Sequence, residues 1–164
     1  AEAAFTSTRR QRWRNFEKLK NKTRPQLREL ISASINAVKD SSWDKCRVHV
    51  SGDFFNIPYM QAWFDCARAR PNKIFYAYTK SLKIFQKLEA EKPSNFHITL
   101  SEGGKYDDLI QVLNPTHAKV TVIGRKDTTT LPIDHDDSHA YKPQGNFALV
   151  IHGVGTEKVE HLVG

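Results

Sequence analysis

The chain has 164 residues, of which 39% are hydrophobic and 26% are charged, and its formal net charge is +7 at pH 7. This length and composition predict one soluble globular domain with a single core, and they exclude a disordered, collagen-like or disulfide-stabilised chain. No apolar run approaches the roughly 18 residues of a membrane span, so no membrane partner is expected.

The excess positive charge lies in the first 47 residues, which contain 12 basic and five acidic side chains, whereas the other residues contain 13 of each. A localised basic segment is typical of contact with an anionic partner, most often nucleic acid, because bound phosphates release their counterions. A solvated helix face would carry the same charge, and composition does not choose between these two explanations.

Residues 7–22 are predicted to form a basic helix, because Trp13, Phe16 and Leu19 recur every three positions and share one stripe. We expect Trp13 and Phe16 to pack against the core rather than to stack on bases. The basic side chains then lie on the outer face as candidate nucleic-acid contacts: Arg9, Arg10, Arg12, Arg14, Lys18 and Lys20.

A second helix is predicted from Thr23, which with Gln26 has the spacing of a capping box, to about residue 40. Strands and helices then alternate. The strands are predicted at residues 46–50, 73–79, 96–101, 119–123 and 147–152, with helices beginning near residues 56, 81 and 106. Residues 125–146 are predicted to be a long polar loop, and the last dozen residues a short helix or a frayed tail.

Strands separated by helices predict right-handed βαβ units. The expected fold is α/β, with a mainly parallel sheet of about five strands, open or a partial βα barrel, and two N-terminal helices. A single domain over residues 1–164 is expected. Its parts are the helices of residues 1–40, the βαβ core of 46–124, the loop of 125–146, and the last strand and tail of 147–164.

Ligands bind at the carboxyl ends of the strands in such sheets. After the first strand, Asp53 is a candidate acceptor for a ligand hydroxyl or amine, beside Ser51 and Gly52. His49 alternates with two valines and is expected to point inward, which makes His49 and Asp53 catalytic candidates. The alternative for Asp53 is that it caps the following turn.

Polar residues also end the next strands. Lys80, between Thr79 and Ser81 at a predicted helix start, is a candidate for binding phosphate or carboxylate. Tyr78 shares one strand face with Tyr76; the alternatives are that both tyrosines belong to the core and that Lys80 is solvated. Glu102 is a third catalytic candidate, and the remaining candidate ligand contacts are Ser101, Gly103 and Arg125.

Residues 134–139 contain three Asp and two His. Such a group can bind a divalent metal, but its spacing matches no calcium loop or zinc motif, and a flexible polar loop is the favoured interpretation. The two cysteines, Cys46 and Cys66, form no C-x-x-C pair, so no metal site is expected.

The segment RVHVSGDFF from Arg47, the pair Tyr59 and Trp63, and the segment FYAYTKSL from Phe75 occur in that order. They resemble the phage gene product 88 family, whose members share R-x-H-x-S-G-D-F, then Y-x-x-x-W, then F-Y-A-Y-T-K-S. The resemblance covers about residues 5–105.

The family in turn resembles radical S-adenosylmethionine enzymes. These are partial βα barrels in which three cysteines hold a [4Fe–4S] cluster, and a turn equivalent to residues 51–53 touches the methionine amine. The resemblance implies a cysteine-rich segment before Ala1. The chain, which begins without Met, is expected to be a processed or trimmed fragment from which this segment was removed; the alternative is that this version lost the segment. Cys46 and Cys66 cannot supply three thiolates. No cofactor is therefore expected in this chain, and [4Fe–4S] with S-adenosylmethionine is expected only with an upstream segment.

Two functions follow as hypotheses. In the first, the chain is a truncated radical-SAM-like α/β domain that binds a nucleotide-like or anionic ligand at the strand ends, with no reaction assigned. In the second, it is a non-catalytic phage protein that binds nucleic acid, or a host component, through its basic helix. The host cell cytoplasm is the expected location under both hypotheses.

Overall fold

Five parallel strands form a single sheet in a computed structural model, which describes residues 6–50 and 52–151. The strands are β1 (Lys45–Arg47), β2 (Ile74–Thr79), β3 (Phe96–Ser101), β4 (Lys119–Ile123) and β5 (Phe147–Val150). They lie side by side in chain order, and the sheet curls into a half-barrel. This confirms the predicted α/β open barrel.

Two N-terminal helices precede the sheet, as predicted: α1 (Thr6–Leu19) and α2 (Arg24–Asn36). The capping box is present, since the Thr23 hydroxyl accepts from the Gln26 N–H and the Gln26 side chain accepts from the Thr23 N–H. α2 packs on α3 (Ile57–Arg68), where Arg24 donates two hydrogen bonds of 2.7 Å to Asp65. This pairing holds the pKa of the Asp65 carboxyl below its usual range.

The main core lies between the sheet and the helices α3, α4 (Leu82–Leu88) and α5 (Ile110–Leu113). Phe75 and Phe96, on adjacent strands, stack with ring centroids 6.0 Å apart, and Phe64 of α3 meets Phe96 edge-on at 5.1 Å. All three rings are fully buried. Each contributes about 2–3 kcal/mol of hydrophobic stabilisation.

The opposite face of the sheet, here called the inner face, carries Tyr76, Tyr78, Val120 and Phe147. Residues 133–141 cover it, and they include a short helix, α6 (Ser138–Tyr141). The prediction of a long polar loop over residues 125–146 misses this helix, which forms where the segment packs on a face that needs cover.

Several predicted boundaries shift. β1 ends at Arg47 rather than at residue 50, because His49 adopts φ 65 and turns the chain away from the sheet. α2 ends at Asn36, and β5 at Val150. The helix predicted from residue 106 is a 3₁₀ turn (Asp107–Leu109) followed by α5. The predicted tail, residues 153–164, lies outside the described residues, as does residue 152, the predicted end of the last strand.

Within the part of the chain that the structure describes, no helix is both long enough and apolar enough to cross a bilayer.

Candidate functional site

A cleft of about 1210 Å³ lies at the carboxyl ends of β2 and β3, the edge at which the parallel topology predicts a ligand site. The helices α1 and α2 contribute its other walls. Seven residues predicted for this edge line the cleft: His49, Gly52, Asp53, Tyr78, Thr79, Lys80 and Ser101. Tertiary structure therefore brings residues at or just after the ends of β1, β2 and β3 together with the basic helix α1.

The basic helix α1 is a wall of this cleft rather than a separate surface. Arg12 and Lys18 line the cleft, as does Lys22 just beyond the helix. Lys20 forms an ion pair of 2.7 Å with Glu17 instead. The other predicted nucleic-acid contacts are exposed and lie outside the lining: Arg9, Arg10 and Arg14. The helix thus has a cleft-facing set and an outer set of basic side chains.

Aromatic rings line the same cleft. The prediction that Trp13 packs against the core is wrong, because Trp13 is 63% exposed and lines the cleft, 5.6 Å from Phe16 between ring centroids. Phe16 does pack inward, edge-on against Phe55 at 5.2 Å. Phe55 in turn stacks on Tyr59 at 4.4 Å. The rings thus form a continuous aromatic surface from the exposed Trp13 into the fold.

Asp53 lies in the cleft wall with both carboxylate oxygens occupied by protein donors. Oδ1 accepts from the Thr79 hydroxyl at 2.6 Å and from the Phe54 N–H at 2.7 Å. Oδ2 accepts from the N–H groups of Lys80 at 2.6 Å and Ser81 at 3.1 Å. Asp53 therefore ties the loop after β1 to the turn after β2. Contact between Asp53 and a ligand amine or hydroxyl stays a prediction.

Two glycines at the strand ends have positive φ and are approached by long basic side chains. A Cβ at Gly52 (φ +95) would lie 3.0 Å from Cδ of Arg12. A Cβ at Gly103 (φ +86) would lie 2.9 Å from Nζ of Lys80. The close approach that glycine permits is thus used by the protein's own side chains at both positions.

Of the other predicted contacts, four lie outside the cleft lining: Ser81, Glu102, Gly103 and Arg125. The Ser81 hydroxyl donates to a carbonyl in the loop after β1, so α4 begins without a side-chain cap. The Glu102 carboxylate accepts from Nζ of Lys119 at 2.9 Å. Arg125 is exposed in the loop after β4. Ser51 lies outside the described residues.

His49 is held in a left-handed conformation that is uncommon for a residue with a side chain. Its ring meets Phe54 edge-on at 4.7 Å, and Nε2 lies 2.9 Å from the Tyr59 hydroxyl. Nδ1 is buried and has no hydrogen-bond partner among the described residues. Burial lowers the pKa of His49 to about 4, although the nearby Asp53 carboxylate opposes that shift. The imidazole is therefore neutral at pH 7.

Sequence reasoning placed Asp137 only in the candidate metal group of residues 134–139 and missed its hydrogen bonds with side chains of the inner face. Its carboxylate accepts from the Arg47 guanidinium at 2.7 Å and from the hydroxyls of Tyr76 at 3.2 Å and Tyr78 at 2.8 Å. Burial and the charge of Asp137 raise the pKa of Tyr76 to about 12, and they raise the pKa of Tyr78 as well. The available signal was the placement of both tyrosines on one strand face, because each buried hydroxyl then needs a polar partner.

Replacing Asp137 by asparagine is expected to lower the free energy of unfolding by about 2 kcal/mol, because a partly buried set of donors loses its charged acceptor. The pKa values of Tyr76 and Tyr78 should fall too, since Asp137 contributes to their rise. Urea unfolding and ultraviolet titration of tyrosine measure the two effects. Asp136→Asn, at the exposed neighbouring carboxylate, is the control, and equal behaviour of both variants contradicts this role of Asp137.

The candidate metal group of residues 134–139 forms a folded turn. Asp134 is 3% exposed and accepts from the N–H groups of Asp136 and His139, both at 3.2 Å. Across residues 6–50 and 52–151, no three His, Cys, Asp or Glu side chains come together as a metal site. Asp134 and Asp136 accept hydrogen bonds from backbone N–H groups of this segment, and Asp137 accepts from tyrosine hydroxyls on the inner face.

Comparison with known proteins gives one match. A family model described as "Gene product 88" matches residues 1–160, well beyond the residues 5–105 that carry the motif resemblance. No curated protein and no solved structure matches the chain.

Proposed function

The chain belongs to the gene product 88 family, and from its cleft we propose that it binds a nucleotide-like, phosphate-bearing ligand at the strand ends. One observation carries this proposal: the cleft joins basic side chains to an exposed aromatic surface. A nucleotide offers the matching pair of chemistries, since its phosphate is anionic and its base is a planar ring that stacks on aromatic side chains.

The charge balance of the cleft supports an anionic ligand. Arg12, Lys18, Lys22 and Lys80 bring four positive charges to its lining. Among the described lining residues Asp53 is the single carboxylate, and four protein donors already engage it. A concave surface of one charge sign raises the local concentration of an oppositely charged ligand.

The aromatic lining supports a planar moiety on that ligand. Trp13 exposes a large apolar surface at the cleft, next to Phe16 and Phe55. Burying such a ring under a base contributes about 1–3 kcal/mol per stacked base. A simple inorganic anion would leave this surface in water, so an aromatic anion fits the cleft better.

The radical-SAM-like interpretation fits the residues less well. The chain has two cysteines, and Cys66 is buried at 1% exposure, where burial raises the pKa of its thiol. They do not form the three-thiolate set of a [4Fe–4S] cluster, and we derive no step through one. S-adenosylmethionine also carries a sulfonium cation, which the basic lining disfavours compared with a phosphate.

The geometry supports binding more directly than proton transfer. His49 has a pKa of about 4 and is enclosed by aromatic rings. Asp53 is fully hydrogen-bonded, and Glu102 is paired with Lys119 outside the cleft lining. The proposal therefore assigns no reaction. As a phage-family protein, the chain would meet nucleotides in the host cell cytoplasm, where we propose that it acts.

Titration with adenosine triphosphate, followed by tryptophan fluorescence and calorimetry, tests the proposal. Replacing Lys18 and Lys22 together by glutamate is expected to weaken binding at least about tenfold, because two charge-assisted phosphate contacts become repulsive. The charge-matched control replaces Arg10 and Arg14, which lie outside the cleft lining, by glutamate. That control should change affinity by no more than about threefold, through long-range electrostatics alone.

Absence of binding at millimolar nucleotide, or equal losses in the two variants, would overturn the proposal. A loss confined to the Arg10 and Arg14 variant would instead support the alternative function, in which the outer face of α1 binds nucleic acid or a host component without the cleft.

A further inference from the structure

A second group of lysines borders the cleft next to the ends of β2 and β3. The group consists of Lys80, Lys83 and Lys105, and we call it the lysine rim. All three residues are exposed. Nζ of Lys83 lies 5.1 Å from the ring centroid of Tyr106, and Nζ of Lys105 lies 5.5 Å from the same centroid. The rim thus repeats the combination of basic and aromatic side chains found in the cleft.

The lysine rim is continuous with the cleft through Lys80. This side chain lines the cleft and extends over the Gly103–Gly104 turn, where Nζ lies 2.9 Å from the position that a Cβ on Gly103 would occupy. A Cβ on Gly104 would lie 3.2 Å from both the Cβ and the carbonyl oxygen of Lys80. These distances place the Lys80 ammonium over the turn that leads to Lys105 and Tyr106.

The neighbouring carboxylates of Glu102 and Asp107 accept hydrogen bonds from groups outside the rim. Asp107 accepts from the N–H groups of Gly103 at 2.8 Å and Gly104 at 2.9 Å, and Glu102 pairs with Lys119. In the described part of the chain, none of the three rim ammonium groups forms an ion pair with a carboxylate. Their charge is available to an external anion.

Basic side chains therefore continue from the α1 wall, past the aromatic surface and Lys80, to the lysine rim. One mononucleotide carries its phosphates at a single end, whereas these basic side chains form two groups, one on the α1 wall and one in the rim. The cleft alone, at about 1210 Å³, also exceeds the roughly 300–1,000 Å³ of typical small-ligand pockets. A ligand with several phosphates along its length and free base faces fits the whole surface.

We propose that the physiological ligand is a single-stranded nucleic acid, whose bases stack on the aromatic surface of the cleft while successive phosphates contact the α1 wall and the lysine rim. This inference rests on the proposed function, since it places one nucleotide of the strand in the cleft. A single strand is required because bases in a duplex are stacked on one another and do not present their faces to protein side chains.

Fluorescence anisotropy with labelled oligothymidylate and oligouridylate of about 15 nucleotides tests the inference. Both strands are expected to bind at least about tenfold more tightly than a mononucleotide, with a slope of log K against log salt near about −4 if six basic side chains are engaged. Replacing Lys83 and Lys105 together by glutamate should weaken oligonucleotide binding about tenfold and make the slope shallower by about 1.4, while the affinity for adenosine triphosphate changes by no more than about threefold, through long-range electrostatics alone.

Lys39 and Lys142, two exposed lysines outside the cleft lining, provide the charge-matched control when both are replaced by glutamate. This control should retain both affinities. Circular dichroism before each titration checks that the variants are folded. Different affinities for the two oligonucleotides would assign the strand as DNA or RNA.

The inference is overturned, and the proposed function kept, if mononucleotides bind as tightly as oligonucleotides or if the Lys83 and Lys105 variant binds oligonucleotides normally. Equal affinity for a duplex of the same length also overturns it. If neither mononucleotide nor oligonucleotide binds, both proposals are wrong.

Discussion

Replacing Asp53 by alanine is expected to lower the free energy of unfolding by about 4 kcal/mol, the largest effect of any single cleft residue. The carboxylate accepts four hydrogen bonds, three from backbone N–H groups and one from the buried Thr79 hydroxyl. Without it these donors lose a charged acceptor, and the loop after β1 loses its link to the turn after β2. Chemical denaturation followed by circular dichroism measures the loss.

Two further variants make this prediction specific. Asp53→Asn keeps one acceptor oxygen but turns an amide donor toward the remaining N–H groups, so about half of the loss is expected. Asp108→Ala removes an exposed carboxylate from the segment after β3 and should change stability by less than about 0.5 kcal/mol. A cost below about 1 kcal/mol for Asp53→Ala would show that the strand-end loops hold together without it.

The stability of the wild-type protein is expected to fall by about 3 kcal/mol through His49 alone as the pH drops from about 6.5 to 4. The folded state keeps the imidazole neutral because burial lowers the pKa of His49 to about 4. The unfolded chain takes up its proton near the ordinary value of about 6.5, so acid favours unfolding across this window. Above pH 7 the imidazole is neutral in both states and has no effect on the pH dependence.

Denaturation at several pH values, compared between wild type and His49→Asn, isolates this contribution. Asparagine tolerates the left-handed backbone of residue 49 and does not titrate. Both proteins keep every carboxylate and the other histidines, so the difference between their pH profiles reports His49. Parallel profiles between pH 6.5 and 4 would show that His49 is accessible to protons in the folded state.

Residues that the sequence suggested for two separate functions line the same cleft. Arg12 and Lys18, chosen as nucleic-acid contacts, line the same cleft as Asp53 and Lys80, chosen as ligand contacts. The proposed nucleotide or nucleic acid strand would use both sets at once. The residues with no part in this surface are those of the outer face of α1, which makes Arg10 and Arg14 a matched control rather than the expected binding site.

Much of the fold was predictable because local sequence patterns favour the same helices and strands that tertiary packing requires. The capping box at Thr23 and the alternation of strands and helices each follow from short-range preferences, and each is present. The boundary of β1 was not predictable. Val48 and Val50 alternate like strand residues, but the left-handed turn at His49 lies between them, and enclosure of its ring by Phe54 and Tyr59 accompanies that turn.

The sequence by itself determined the parallel sheet, the edge at which a ligand site would lie, and the excess of positive charge in the first third of the chain. Tertiary structure alone decided which basic side chains of α1 line the cleft, because α1 can be oriented only by packing against residues distant in sequence. The contact of Phe16 with Phe55 turns Trp13, Arg12 and Lys18 toward the strand ends. The same holds for Asp137, since its partners Arg47 and Tyr78 are far from it along the chain and meet it only when residues 133–141 cover the inner face.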